Sequence, residues 1–238
     1  MSALPPSKWP SPPSPQPTPP HPRYDVGEFL FTERWFALKG ERPENQSHEE
    51  RWTHFFNKYK EQTGNRIQDV LEIGCYEGRS SIWIAQNLLQ EGGTLDAIDI
   101  FTCAGDAGMA QCRELVEKDP DYLLKTFKHN TSQIDNVVFT PMRGFSQDIL
   151  PTLGREAKYD FIYIDGSHDA DDTFIDSYYC HPLLRSGGVL IFDDYLWKDP
   201  AKTLSRECPK AGIDFFYNMY GDLYDVAYQE YQLVLIKK

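Results

Sequence analysis

The chain has no apolar run approaching the roughly 20 residues that a membrane-spanning helix requires, and no apolar core near its N-terminus of the kind that marks a secretory signal. Both absences lead to the expectation of a cytoplasmic protein with no membrane partner. Basic residues are scarce: 24 Lys and Arg stand against 36 Asp and Glu, a formal net charge of -12. A general nucleic-acid binder needs a basic footprint against phosphates, so that class is disfavoured. Five cysteines, Cys75, Cys103, Cys112, Cys180 and Cys208, form neither a CxxC pair nor a zinc spacing. They read as reduced thiols that pack structurally, as in a cytosolic protein. What is present is ordinary for a globular chain: 238 residues, 40% hydrophobic and 25% charged, enough for one large α/β domain.

The chain divides unevenly. Residues 1–23 carry no acidic residue and are dominated by proline and serine, so they cannot bury a core and read as a flexible arm. Residues 24–65 read as an N-terminal helical cap segment. Within it, Ser47-His48-Glu49-Glu50 has the spacing of a capping box, and Trp52, Phe55, Phe56 and Tyr59 follow at helical intervals up to a stop at Gly64. The aromatic stripe is read as packing on the main domain rather than as a lid.

From residue 66 to 238 short apolar runs alternate with helical ones. Strands are expected at Asp69–Ile73, Thr94–Ile98, Val137–Pro141, Phe161–Asp165 and Val189–Phe192, with helices at about 79–91, 106–129, 146–153 and 169–184. That alternation implies a doubly wound parallel sheet. Residues 224–229 and 231–237 have no helix between them and read as a terminal hairpin. The expected fold is α/β, Rossmann-like, with a mostly parallel seven-stranded sheet ending in an antiparallel hairpin.

In such sheets ligands sit beyond the carboxyl ends of the strands. The first strand ends in VLEIGCYEGRSS, where Gly74 and Gly78 let the backbone turn sharply and approach a ligand. The spacing is E-x-G-x-x-x-G rather than the dinucleotide G-x-G-x-x-G, which disfavours a nicotinamide dehydrogenase. Glu72 would repel a pyrophosphate but suits the ammonium of an amino-acid-bearing cofactor. Asp99 ends the second strand, 21 residues after Gly78, where a carboxylate can accept hydrogen bonds from ribose hydroxyls. Asp165, Asp193 and Asp194 follow two further strands. Three carboxylates brought that close repel unless a cation or shared proton offsets them. Magnesium, which prefers oxygen ligands, is the expected ion. Asp169, Asp171 and Asp172 read as the acidic first turn of the next helix.

Four motifs in order, VLEIGCYEGRSS, GFSQDILPTL, YDFIYIDGSHDADD and GGVLIFDDYLW, resemble the class I S-adenosylmethionine-dependent methyltransferases of the metal-dependent catechol O-methyltransferase type. The resemblance extends to the group of macrocin and other sugar O-methyltransferases and cephalosporin-biosynthesis proteins, to which the final run is more similar. It implies a cofactor site of Glu72, Gly74, Tyr76, Gly78, Ser80 and Asp99, with Ser80 facing the methionine carboxylate. Ser146 and Gln147 would border the adenine. Asp165, Asp193 and Asp194 would hold a divalent cation, with Asp165 also bordering the cofactor and acting in catalysis. His168 stands three residues after the first metal aspartate, where the catechol enzyme has its lysine base. The catechol enzyme also has an asparagine in place of Asp194, and a shorter segment than 101–136. The implied reaction is methyl transfer to a hydroxyl of a small sugar or natural-product molecule. The alternatives are a metal-independent methyltransferase of the same fold and a non-catalytic cofactor-binding or interaction protein. A homo-oligomer is compatible with either.

Deleting residues 1–23 is expected to leave the melting temperature and the cofactor affinity nearly unchanged. A shifted elution volume on size-exclusion chromatography would instead make the arm part of an interface.

Overall fold

Ser47 starts the first helix by a reciprocal pair of hydrogen bonds. Its hydroxyl accepts from the Glu50 amide and the Glu50 carboxylate accepts from the Ser47 amide, the capping box read from the spacing. Helix α1 (His48–Thr63) ends at Gly64 in a left-handed C-cap. Its buried face carries Trp52, Phe55, Phe56 and Tyr59. The Trp52 ring stands edge-on to Trp83, Phe161 and Tyr163, with centroids 5.5, 5.5 and 4.7 Å away. The aromatic stripe is therefore core. The computed structural model describes residues 29–31, 47–103, 110–198 and 204–238. The arm, 1–23, lies outside the described residues.

The described strands are β1 (Ile67–Ile73), β2 (Leu89–Asp99), β3 (Val137–Arg143), β4 (Tyr159–Ile164), β5 (Leu184–Phe192), β6 (Tyr224–Gln229) and β7 (Leu233–Lys237). They form one sheet in the order β3-β2-β1-β4-β5-β7-β6. Pairing is parallel from β3 through β5, and β7 runs antiparallel between β5 and β6. This is the Rossmann-like sheet with a terminal hairpin that the apolar runs and the tail imply. Strand order reverses between β1 and β4, so the crevice for a ligand opens beyond the carboxyl ends of those two strands.

The helices are α2 (Arg79–Asn87), α3 (Ala110–Lys118), α4 (Tyr122–Thr131), α5 (Ser146–Ile149), α6 (Ala170–Leu183) and α7 (Pro209–Tyr220). Alternate residues of the buried strands feed two cores, as the period of two requires. Val70, Phe161 and Tyr163 pack with Trp52, Trp83 and Phe127 on one face. Leu71, Ile162 and Ile164 pack with Cys180, Leu183 and Phe216 on the other. Among the described residues no helix is long and apolar enough to cross a membrane.

Several expectations are corrected. The helix expected over 106–129 is two, α3 and α4, separated at Asp119-Pro120-Asp121. Proline lacks the amide and clashes with the preceding turn, which ends the first helix. Helix α2 stops at Asn87 and β2 starts at Leu89, not Thr94. Helix α7 was not anticipated, although Pro209 at its first turn is a start signal. Cys103 and Cys112 are joined in a disulfide across a Cα separation of 6.2 Å, so not all five cysteines are free thiols. Cys75, Cys180 and Cys208 are free.

Because Trp52 is fully buried among four aromatic rings, Trp52→Ala is expected to cost about 3–5 kcal/mol of unfolding free energy. Urea titration of the two proteins measures the difference. A loss below about 1 kcal/mol would mean that α1 does not share the domain's core.

Candidate functional site

Three backbone hydrogen bonds continue the parallel ladder one step past the strand ends. The Gly74 amide donates to Ile98 (2.8 Å), the Asp165 amide to Ile73 (2.8 Å) and the Asp193 amide to Ile164 (2.9 Å). The loops leaving β1, β4 and β5 are thereby held level, side by side. Gly74 lies against the Asp165 main chain so closely that a Cβ there would sit 2.0 Å from the Asp165 carbonyl oxygen. Its φ of 84° is also one that side chains other than glycine rarely adopt. The glycine read as a turn residue is thus a close-contact residue as well.

The first loop gathers the expected cofactor residues. Tyr76 has a positive φ of 49°, and its amide donates to Asp99 Oδ2 at 2.8 Å. The Phe101 amide donates to Asp99 Oδ1 at 2.5 Å. Burial pushes the Asp99 carboxyl up, opposed by these amides, which favour the ionised form. Glu72 is fully buried and accepts hydrogen bonds from the Ser80 and Ser81 hydroxyls. Ser80, on the helix that Gly78 begins, is the residue expected to face a methionine carboxylate, and its hydroxyl donates to Glu72. Burial raises the Glu72 carboxyl to about 7, against the two serine hydrogen bonds. Ser146 and Gln147 begin α5 at the end of β3, both half-buried.

The acidic residues separate into two roles. Asp165, His168 and Asp194 each offer a ligand atom, and these atoms all lie within 4.8 Å of one another. His168 Nε2 is 2.8 Å from Asp194 Oδ2, and its ring lies over Trp197 with centroids 4.4 Å apart. Asp193 is 7% exposed and adjoins this group through the Tyr163 hydroxyl, which its Oδ2 shares with Asp165 Oδ2. Its Oδ2 also lies 3.4 Å from His48 Nε2, while its Oδ1 accepts from the Asp194 amide. Of the expected trio, Asp165 and Asp194 thus lie with His168, and Asp193 has Tyr163 and His48 as neighbours. Asp194 takes a left-handed φ of 55°. That conformation is uncommon outside glycine but tolerated by aspartate.

The Tyr163 hydroxyl lies within hydrogen-bond distance of both Asp165 Oδ2 (3.0 Å) and Asp193 Oδ2. A phenol has one proton and donates it to one acceptor at a time. The second carboxylate therefore needs a proton or a cation of its own. Consistent with this, burial and then the charges of Asp193 and Asp194 push the Asp165 carboxyl well above the usual carboxylate range. Asp194 behaves oppositely. Burial raises it, but His168 and Tyr231 together hold it below its ordinary value. Two carboxylates, one of them sharing its only phenolic donor, beside an imidazole fit a small divalent cation.

Some contributors carried no sequence signal. Tyr231 donates to Asp194 Oδ1 at 2.6 Å from the turn between β6 and β7. His48 reaches Asp193 from the first turn of α1. Asn130 on α4 holds the Glu77 carbonyl of the first loop (2.8 Å) and pairs with the Leu30 backbone through both amide atoms (2.7 and 2.9 Å). Tyr163 was legible: it lies two residues before Asp165, on the same strand face. Conversely, Arg143 is engaged by Asp121 and the Pro120 carbonyl, and Tyr195 by Lys210, Asp214 and Gln229, so neither is turned to the site. Asp171 and Asp172 lie in the first turn of α6, as expected.

A family model described as a methyltransferase domain matches residues 71–195, from the end of β1 to the residue after Asp194. The chain belongs to this methyltransferase family. The matched span holds Glu72, Gly74, Asp99, Asp165, His168 and both aspartates after β5. Among solved structures, the O-methyltransferase NovP is similar at 17% identity, with a TM-score of 0.55 over 81% of each chain. The O-methyltransferase TomG from Streptomyces achromogenes, determined in complex with SAM, is similar at 20% identity. Its TM-score is 0.50 over 79% of this chain and 80% of that one. These likenesses are of fold. No curated protein matches the chain.

The raised carboxyl of Glu72 makes a prediction for this methyltransferase. A buried acid that keeps its proton to higher pH favours folding below its unfolded value of 4.5, and that contribution is lost as pH rises through about 7. Without cofactor, Glu72→Gln should therefore gain stability over the wild type between about pH 5 and pH 8, by up to ~3 kcal/mol at about 1.4 kcal/mol per pKa unit. Denaturant titrations at both pH values read this out. Identical pH dependence in the two proteins would show that Glu72 is ionised at no cost.

Proposed function

We propose that this methyltransferase transfers the methyl group of S-adenosylmethionine to a hydroxyl of a small molecule of sugar or natural-product type, assisted by a divalent cation, magnesium in the first instance. The observation that carries this reading is the contact of Gly74 with the Asp165 main chain. It sets the loop suited to the methyl donor directly against Asp165, His168 and Asp194. That NovP and TomG are O-methyltransferases, the latter determined with SAM, supports a hydroxyl acceptor and this donor.

Each residue then has a task. Glu72 accepts from the methionyl ammonium, which supplies the positive charge that its buried carboxylate lacks. Asp99 receives the ribose hydroxyls, while its bonds to the Tyr76 and Phe101 amides fix its plane. Ser146 and Gln147 border the adenine. Asp165 and Asp194, with His168 beside them, hold the cation. When bound, a divalent cation orients an acceptor hydroxyl and lowers its pKa. His168 takes the hydroxyl proton. Its Nε2 is directed at Asp194, whose negative charge favours the imidazolium that results. The remaining acceleration comes from holding donor and acceptor in line at near-attack distance.

One observation favours a second reading. Asp194 already has His168 and Tyr231 as partners, so the cluster can be satisfied without an ion. In that case the acidic group would bind the acceptor directly in a metal-independent methyltransferase.

Hydroxylated metabolites are to be screened for S-adenosylhomocysteine release with and without chelator. Chelation is expected to abolish turnover, and magnesium or manganese to restore it. Asp165→Asn should lower the rate by several orders of magnitude while leaving calorimetric binding of S-adenosylmethionine intact. His168→Ala should slow the reaction about 100- to 10,000-fold, with partial recovery at higher pH. Full activity in excess chelator, with no tightly held ion by metal analysis, would select the metal-independent reading.

A further inference from the structure

The turn between β6 and β7 is fastened to the rest of the protein at each residue. Glu230 and Gln232 point to α1: Glu230 Oε2 is 3.3 Å from Arg51 Nη1, and Gln232 Oε1 accepts from the Trp52 indole at 2.9 Å and from the Tyr228 hydroxyl at 3.2 Å. The turn closes on itself through the Glu230 amide and the Gln232 carbonyl at 2.9 Å. Between them Tyr231 lies with its ring 5.9 Å from that of His48 at the start of α1 and reaches the segment after β5. Its hydroxyl donates to Asp194 Oδ1, and its carbonyl accepts from the Leu196 amide, in the segment that follows β5.

The Asp194 carboxylate is thus oriented at both oxygens. Oδ1 is held by Tyr231 at 2.6 Å, and Oδ2 faces His168 at 2.8 Å. Without the phenol, the carboxylate could rotate about its χ2 bond and present either oxygen to the group formed with Asp165 and His168. This matters more than usual because Asp194 stands on a left-handed backbone, where local geometry alone does not fix the side chain.

We propose that Tyr231 is a positioning residue of the metal site: its hydroxyl fixes the Asp194 carboxylate so that Oδ2, with the Asp165 carboxylate and beside His168, forms a preset site for a divalent cation. The proposal rests on the metal-assisted reading above. It gives the hairpin turn a task in the site, beyond completing the sheet. Partners that orient a metal-binding side chain in this way change metal affinity by about 10- to 100-fold when removed.

The test uses the full-length protein and Mn²⁺ as the probe, with binding followed by electron paramagnetic resonance and calorimetry. Tyr231→Phe, which removes one oxygen and keeps the ring, is expected to weaken Mn²⁺ binding about 10- to 100-fold. The melting temperature and the S-adenosylmethionine affinity should stay at wild-type values, and Tyr231→Ala should lose no more than Tyr231→Phe. In an Asp194→Asn background the Tyr231→Phe effect should vanish, since the two changes act through one contact. Wild-type Mn²⁺ affinity in Tyr231→Phe would overturn this inference alone. So would an effect that persists in the Asp194→Asn background, or a loss shared equally by cofactor affinity and melting temperature. Absence of Mn²⁺ binding by the wild type would overturn the metal-assisted reading and this inference with it.

Discussion

Everything at the site depends on the last rung of a parallel ladder. The amides of Gly74, Asp165 and Asp193 each reach across to the strand beside them just after their own strands have ended. A parallel ladder is evenly spaced, so these three rungs set three loops at one level. Nothing softer would suffice. A carboxylate grouped with side chains from a neighbouring strand needs its main chain placed with a tolerance that loops alone do not hold. Here the tolerance is inherited from main-chain hydrogen bonding in the most buried part of the sheet. Gly74 is the cost of that arrangement, since two main chains can approach so closely only where one lacks a side chain.

The electrostatics follow from the same crowding. Burying Glu72, Asp99, Asp165 and Asp193 near one another would be unfavourable if each were simply ionised. The protein answers each one differently. Glu72 has two serine hydroxyls and keeps its proton toward neutrality. Asp99 has main-chain amides. Asp193 has a phenol, a histidine and an amide. Asp165 has a phenolic donor that Asp193 also takes, and its carboxyl is pushed well above the usual range. An acid left short of partners amid well-satisfied neighbours is where a cation or a substrate would relieve the most repulsion.

The fold was legible in the sequence wherever the signal was local. The capping box at Ser47, the apolar runs of β1, β4 and β5, the glycine turn after β1 and the carboxylate at Asp99 are patterns a few residues long. Local competition between signals caused the boundary errors: Pro120 divides a helix whose apolar periodicity reads through it, and Leu88-Leu89 suits helix or strand equally. The site was legible only in part. Asp165, His168, Asp193 and Asp194 are each marked by a local motif, but the division of their contacts among Tyr163, His48 and Tyr231 is not. Tyr231, His48 and Asn130 act through contacts with distant segments, which leave no periodicity to read. The cysteine reading missed the Cys103–Cys112 pairing, which joins residues nine positions apart with no CxxC or zinc spacing to mark it.

The clamp between α1 and the hairpin turn has a consequence for how the molecule comes to be active. The Trp52–Gln232 hydrogen bond joins residues 180 positions apart, and β7 enters the sheet between two strands that precede it in the chain. Contacts of such span close late, because the entropy of the intervening loop must be overcome before they form. The loop after β1 takes its contacts from Asp99, Asn130 and Asp165, whereas Asp194 Oδ1 takes its partner from the hairpin turn. One of the two held oxygens of Asp194 is thus supplied by the last hairpin of the chain, so a change that loosens that hairpin is expected to reach the acidic group from 37 residues away in sequence.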